Sequence, residues 1–182
     1  MSPGGHLVTT IAACAATAYA TGSAPLTAAV AAGGFLIDVD HAIDYVLFDG
    51  RRDLRPQTFL RYYIEGRVRF AVLILHSYEL FALLGALAWW TEAPLISAYL
   101  LGALMHLALD IVFNGRVTPR SIVAFYSFAY RLSRRFDARV LLGITPRRDR
   151  RRFWAEFFGG ARELSPLPIE RAARAPRRAP RP

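Results

Sequence analysis

Four histidines, His6, His41, His76 and His106, fall in four different apolar stretches of the 182-residue chain. Three are followed one helical turn later by a carboxylate: His41 by Asp44, His76 by Glu79 and His106 by Asp110. Offsets of three or four residues place both members of a pair on one helix face. Asp40 lies on that face one turn before Asp44, Asp38 sits on the flank of His41, and Asn114 extends the face of His106 and Asp110. The densest run is GFLIDVDHAIDYV, residues 34–46, which sets three aspartates and a histidine among apolar neighbours. An ionisable group deep in an apolar span costs about 2.5–3.5 kcal/mol on insertion scales, and such groups mark function. Histidine–carboxylate hydrogen bonds offset part of that cost. The five carboxylates Asp38, Asp40, Asp44, Glu79 and Asp110 nevertheless outnumber His41, His76 and His106. A divalent cation supplies the missing positive charge and takes imidazole and carboxylate as ligands. The expected ligand pool is His41, His76, His106, Asp40, Asp44 and Asp110. His6 is a further ligand, and Asp38 either a ligand or a helix-flank residue. That number of donors suits one or two ions, zinc as the first expectation and manganese as the second. Glu79 and Asp44 are the candidate catalytic carboxylates, Glu79 as general base. The single Cys14 excludes an intramolecular disulfide and a cysteine-based zinc cluster.

Long apolar helices have to position these groups. The chain is 54% hydrophobic, and all 23 of its basic residues are arginines lying from Arg51 onward. Four stretches, at about 6–21, 26–48, 70–90 and 94–114, approach the roughly 20 residues needed to cross a hydrocarbon core. The first resembles a signal peptide in its AYA sequence but lacks the usual positive start, so a retained helix is expected. The connections at 22–25 and 91–93 carry no arginine, whereas 49–69 and everything from Arg116 onward are strongly basic. The positive-inside rule then puts both termini and the 49–69 loop in the cytoplasm. Up-and-down helices in that topology bring all four histidines to one level, with His41 roughly 10 Å from the cytoplasmic end of its helix. The expected fold is all-α: an integral membrane bundle of about four transmembrane helices over 1–116, with C-terminal interfacial helices. The aromatic and arginine-rich segment 117–162 reads as amphipathic and interfacial, its partners the anionic headgroups of the cytoplasmic leaflet. Its run RRDRRRFWAEFF could also meet nucleic acid, but lipid is nearer and sufficient. The Pro/Arg-rich tail over 163–182 has the composition of a disordered segment.

The same residues carry a resemblance. The chain resembles the YdjM-type family of inner-membrane metal-dependent hydrolases. That family pattern has an early His, a Gly-Gly before a Pro-Asp-x-Asp-His core, a His-Ser pair and a His-x-x-x-Asp. The matches are His6, GGFLIDVDH at 33–41, HS at 76–77 and HLALD at 106–110. Ile37 stands where the core has Pro, and Leu75 where Thr is common. The resemblance implies a multi-pass protein of a bacterial-type inner membrane and a hydrolytic reaction class, without naming a substrate.

The expected function is metal-assisted hydrolysis at the cytoplasmic leaflet, in which bound cations acidify water and polarise the bond being cleaved. The depth of the site suits an amphiphilic phosphoester or other ester as substrate, with Arg61, Arg67 or Arg116 available to hold a phosphate. Two rivals use the same residues: a proton or divalent-cation pathway, and a non-catalytic membrane scaffold that recruits partners through its basic tail.

Overall fold

The computed structural model describes residues 1–115, 120–149, 151–161 and 165–166. Arg116, and the tail over 163–182 apart from Ser165 and Pro166, lie outside the described residues. Two helical hairpins form the body. In the first, α1 (Pro3–Thr21) is capped by Ser2, whose hydroxyl accepts from the Gly5 N–H, and ends at Gly22 with φ 61°. Ser23 and Pro25 then start α2 (Ala24–Gly34). The second hairpin pairs α5 (Tyr78–Thr91) with α6 (Pro94–Asn114). The hairpins join through α2 and α6, whose backbones touch. A Cβ at Gly33 would lie 2.1 Å from the Tyr99 carbonyl oxygen, and one at Gly102 would lie 2.3 Å from that of Val30. Small residues permit this approach, as they do between membrane helices.

At the end of the body remote from the two hairpin turns, the chain is irregular. After Gly34 it passes through a 3₁₀ turn (Leu36–Asp38), α3 (Val39–Ile43) and a π-helical turn (Asp44–Phe48). This continuation is bent by 47° from α2. Then come α4 (Pro56–Ile64), a short 3₁₀ turn (Ile74–His76) and, after α6, the short helices α7 (Ile122–Phe125), α8 (Phe128–Ser133), α9 (Ala138–Leu142) and α10 (Phe153–Gly159). Two residue pairs, Ile144–Thr145 (β1) and Ser165–Pro166 (β2), form a minimal antiparallel ladder. The fold is therefore all-α in substance.

Three expectations about elements change. The 26–48 stretch is a broken helix, and the 70–90 stretch is helical only from Tyr78. Residue Leu73 adopts φ 44°, which an α-helix does not allow. Among the described residues one helix, Pro94–Asn114, is long and apolar enough to cross a membrane, and the bent pair Ala24–Phe48 makes a second only if counted as one span. The segment after α6 is not simply laid on a surface either: Ile122, Phe125, Tyr126, Ala138 and Leu141 join Ile37, Leu73, Phe81 and Leu107 in the core. Apolar side chains of the hairpins face outward, among them Leu83, Leu101 and Leu104, with Trp89 and Trp90 more than four-fifths exposed at the hairpin-turn end.

Candidate metal centre

The α2–α6 contact delivers the first histidine. Because the helices touch, the imidazole of His106 reaches across, and its Nδ1 lies 2.9 Å from the Gly34 carbonyl oxygen. A carbonyl only accepts, so Nδ1 carries the hydrogen, and in the neutral ring Nε2 offers its lone pair inward. His76 arrives differently. The stretch 69–75, which forms no helix of its own before Ile74, is held by three aspartates from the broken helix. Asp49 accepts from the N–H groups of Arg69 and Phe70, Asp44 from those of Val72 and Leu73, and Asp40 from that of Leu75. The π-helical turn, closed by the Asp49 N–H on the Asp44 carbonyl at 2.9 Å, keeps two carboxylates five residues apart on the same face. The opposite edge of the stretch bonds to 136–138: the Ala71 N–H donates to Phe136 O, and the Ala138 N–H to Arg69 O.

Asp40 also orients His76, whose Nδ1 is 3.0 Å from both of its carboxylate oxygens. That leaves Nε2 of His76 facing Nε2 of His106 at 3.1 Å. Asp38 Oδ1 stands 3.4 Å from each of these nitrogens and 3.6 Å from His41 Nε2. Two nitrogen lone pairs at that distance need a proton or a cation between them. Donors 2.0–2.1 Å from a tetrahedral zinc lie about 3.3 Å from one another. The triangle His76 Nε2, His106 Nε2, Asp38 Oδ1 therefore has the edge lengths of such a coordination face. These buried histidine and aspartate groups can hold a metal ion. An aspartate on the distal nitrogen of one histidine and a carbonyl on that of the other is the usual outer support of metal-binding imidazoles.

A second cluster adjoins the first. His6 stacks on His106 with ring centroids 3.7 Å apart, and its Nε2 lies 3.0 Å from Asp110 Oδ1. Asp110 also accepts from the Met1 amino group, from Asn114 and from the Tyr126 hydroxyl. Burial, reinforced by the negative charge of Asp110, pushes the Tyr126 phenol well above its usual value, which keeps it a donor. A cavity of about 780 Å³ opens onto both clusters. His6, Asp38, His41 and Asp110 are at its polar end, and Phe35, Phe59, Leu60, Ile64, Phe113 and Phe158 are among its apolar walls. Its size lies in the range of small-molecule sites.

The structure thus gathers His6, Asp38, Asp40, His41, His76, His106 and Asp110, and separates the rest of the expected set. Glu79 begins α5 outside the cluster, where its exposed carboxylate accepts from Ser127 Oγ and the N–H groups of Phe128 and Ala129. Asp44 is committed to the backbone of 72–73 rather than to the converging ligand atoms. Arg61 pairs with the buried Glu156, and Arg67 with Glu65. Neither lines the cavity. Arg116, as noted, is not described.

Sequence reasoning missed three supporting groups, Asp49, Tyr126 and Arg131. Arg131 is fully buried, and it donates to the carbonyls of Leu73, His76 and Phe125 at 2.8–3.1 Å. Burial pulls its guanidinium below the usual value, and the nearby Asp40, Glu79 and Asp44 counter that pull. Its place in YRLSRR gave no signal, since it is one arginine among several. Comparison with protein-family models, with curated proteins and with solved structures returned no match.

Proposed function

We propose that the chain is a membrane-bound, metal-dependent hydrolase acting on an amphiphilic ester or phosphoester, the reaction class that the YdjM-type resemblance implies. The observation that carries this reading is the triangle of His76 Nε2, His106 Nε2 and Asp38 Oδ1, with sides of 3.1, 3.4 and 3.4 Å. His41, 3.6 Å from Asp38 and lining the cavity, is a further donor beside the triangle, and His6 and Asp110 form a second group that shares His106 with it. Zinc is the first choice of metal from the donor types and the tetrahedral edge lengths, manganese the second. A divalent cation held there supplies Lewis acidity and acidifies water at neutral pH.

The protein's own groups prepare the rest. Asp40 and the Gly34 carbonyl fix the two imidazole tautomers, and Tyr126 and Asn114 hold Asp110. The apolar walls of the cavity exclude water and accept the chain of an amphiphile, leaving its polar end against the histidines and Asp38. The membrane setting is supported by Pro94–Asn114, by the outward apolar faces of the hairpins, and by the lack of arginine in the four hairpin helices. In the proposed multi-pass topology both termini are cytoplasmic, and the exposed Trp154 and Phe158 of α10 rest among the headgroups of an inner membrane.

Elemental mass spectrometry of the detergent-purified protein tests the reading. One to two equivalents of zinc or manganese are expected, falling below a tenth of that in Asp38→Ala/His106→Ala. Absence of metal from both forms after reloading would remove it. A loaded protein that carries metal ions into proteoliposomes but cleaves no ester would favour the cation-pathway alternative.

A further inference from the structure

We propose that Arg131 is a positioning residue of the metal centre, acting through His76. This inference rests on the metal-centre reading above and adds to it a residue of the C-terminal segment. A fully buried guanidinium normally faces a carboxylate. Arg131 instead spends its donors on backbone carbonyls: Nη1 on His76 O at 3.1 Å and Phe125 O at 2.8 Å, Nη2 on Leu73 O at 2.9 Å. Two of these three acceptors bracket the 3₁₀ turn that carries His76. That turn begins at Leu73, whose φ of 44° is unfavourable for a branched residue.

The turn is gripped from two sides. Asp44 and Asp40 take its N–H groups from the broken helix, and Arg131 takes its carbonyls from α8. With the backbone of the turn held in this way and Asp40 on Nδ1, the imidazole of His76 faces His106. The rings of Phe125 and Phe128 lie 5.7 and 6.0 Å from the guanidinium carbon and close the site from solvent. The planar fork is what the geometry uses, since one rigid group reaches carbonyls at both ends of the turn. A lysine ammonium is a single point and cannot span them. Arg131 also places a positive charge near Asp40 and Asp44 while its hydrogen bonds go to backbone carbonyls rather than to the ligand atoms.

The test is a zinc titration of the full chain in detergent, by competition with a chromophoric chelator, for wild type, Arg131→Met, His76→Ala and the double variant. Removing an outer support of a metal ligand costs about 10–100-fold in affinity, and that is the expected loss for Arg131→Met. In the His76→Ala background the same substitution is expected to change affinity by less than about two-fold, because the residue it acts through is gone. Arg131→Lys is expected to fall between wild type and Arg131→Met. Should Arg131→Met lose its helical circular dichroism, Arg131→Lys carries the comparison, with a several-fold weaker affinity expected. Wild-type affinity in either folded variant, or losses that multiply in the double variant, would overturn the inference and leave the metal centre standing. A wild-type chain that takes up no zinc would remove the metal-centre reading, and this one with it.

Discussion

At the scale of single residues, the aspartates divide into those that meet ligand atoms and those that hold backbone, and the division predicts opposite phenotypes. The carboxylate of Asp38 lies against the rings of His41, His76 and His106. Asp38→Ala is therefore expected to abolish metal retention while leaving the stability of the metal-free protein within about 1 kcal/mol, since its half-buried carboxylate meets imidazoles rather than the backbone N–H groups that Asp44 holds. Asp44→Ala strands the buried N–H groups of Val72 and Leu73. At about 1–3 kcal/mol per unsatisfied group it should cost about 2–5 kcal/mol even without metal. Denaturant unfolding of chelator-treated protein, beside metal analysis, separates the two; equal destabilisation by both substitutions would contradict the division. The histidines and most of their carboxylate neighbours were legible in the sequence, as was the pairing of His106 with Asp110, 3.6 Å apart, but the pairings of His41 and His76 were not. Helical spacing matched His76 with Glu79, whereas the helix starts at Tyr78 and sends Glu79 to cap α8. His76 turns instead to Asp40, 36 residues earlier. An offset of three or four residues carries information only where the helix is continuous.

At the scale of elements, the centre depends on how closely α2 and α6 approach. Gly102 is pressed on the carbonyl of Val30, and a Cβ there would also lie 2.8 Å from the Gly34 nitrogen. These are backbone atoms, which cannot turn aside as a side chain does. Gly102→Ala should push the helices apart and draw the Gly34 carbonyl away from His106. The expected cost is about 1–3 kcal/mol of stability together with a measurable fall in metal affinity. Gly85→Ala, where nothing lies within 4 Å, is the matched control. It should be neutral or stabilising by up to about 1 kcal/mol, because alanine favours helix. Thermal unfolding of both variants in one detergent decides this, and equal midpoints would mean the close approach is not limiting. The four helical stretches were legible from hydropathy, as were the turn at Gly22 and the start at Pro94. The break after Gly34 and the irregular course of 69–73 were not. There, side-chain carboxylates replace the helix's own carbonyls as acceptors, an exchange that leaves the apolar character of the segment unchanged.

For the whole molecule, the distribution of charge and apolar surface has to agree with the depth of the site. At 1.5 Å per residue, α6 is about 31 Å long and α1 about 28 Å, close to the thickness of a hydrocarbon core, while the 14 residues of α5 reach only about 21 Å. α5 starts directly after the His76 turn. In the proposed topology the histidines therefore lie about 9 Å inside the cytoplasmic edge of the core, near the roughly 10 Å read from sequence for His41. The cavity's polar end then lies at the level of the histidines, beside the lipid chains, and its walls from α4 and α10 lead from there toward the headgroups. The arginine-rich segment fits this view only in part: α10 exposes Trp154 and Phe158, but α7 to α9 close over the site, and Arg131 is wholly enclosed. Hydropathy counts a charge and cannot see the three carbonyls that receive it. Cysteine labelling on intact cells tests the arrangement, with Cys14 first replaced by serine. Single cysteines at Thr21 and Glu92, in or beside the hairpin turns, should react with a membrane-impermeant maleimide from outside. One at Arg52 should react only after lysis. Protection of Glu92→Cys until lysis, with release of the protein by alkaline carbonate, would place both hairpins on one side of the membrane. The depth argument for a lipid-like substrate would then fail, while the metal centre, which rests on interatomic distances alone, would not.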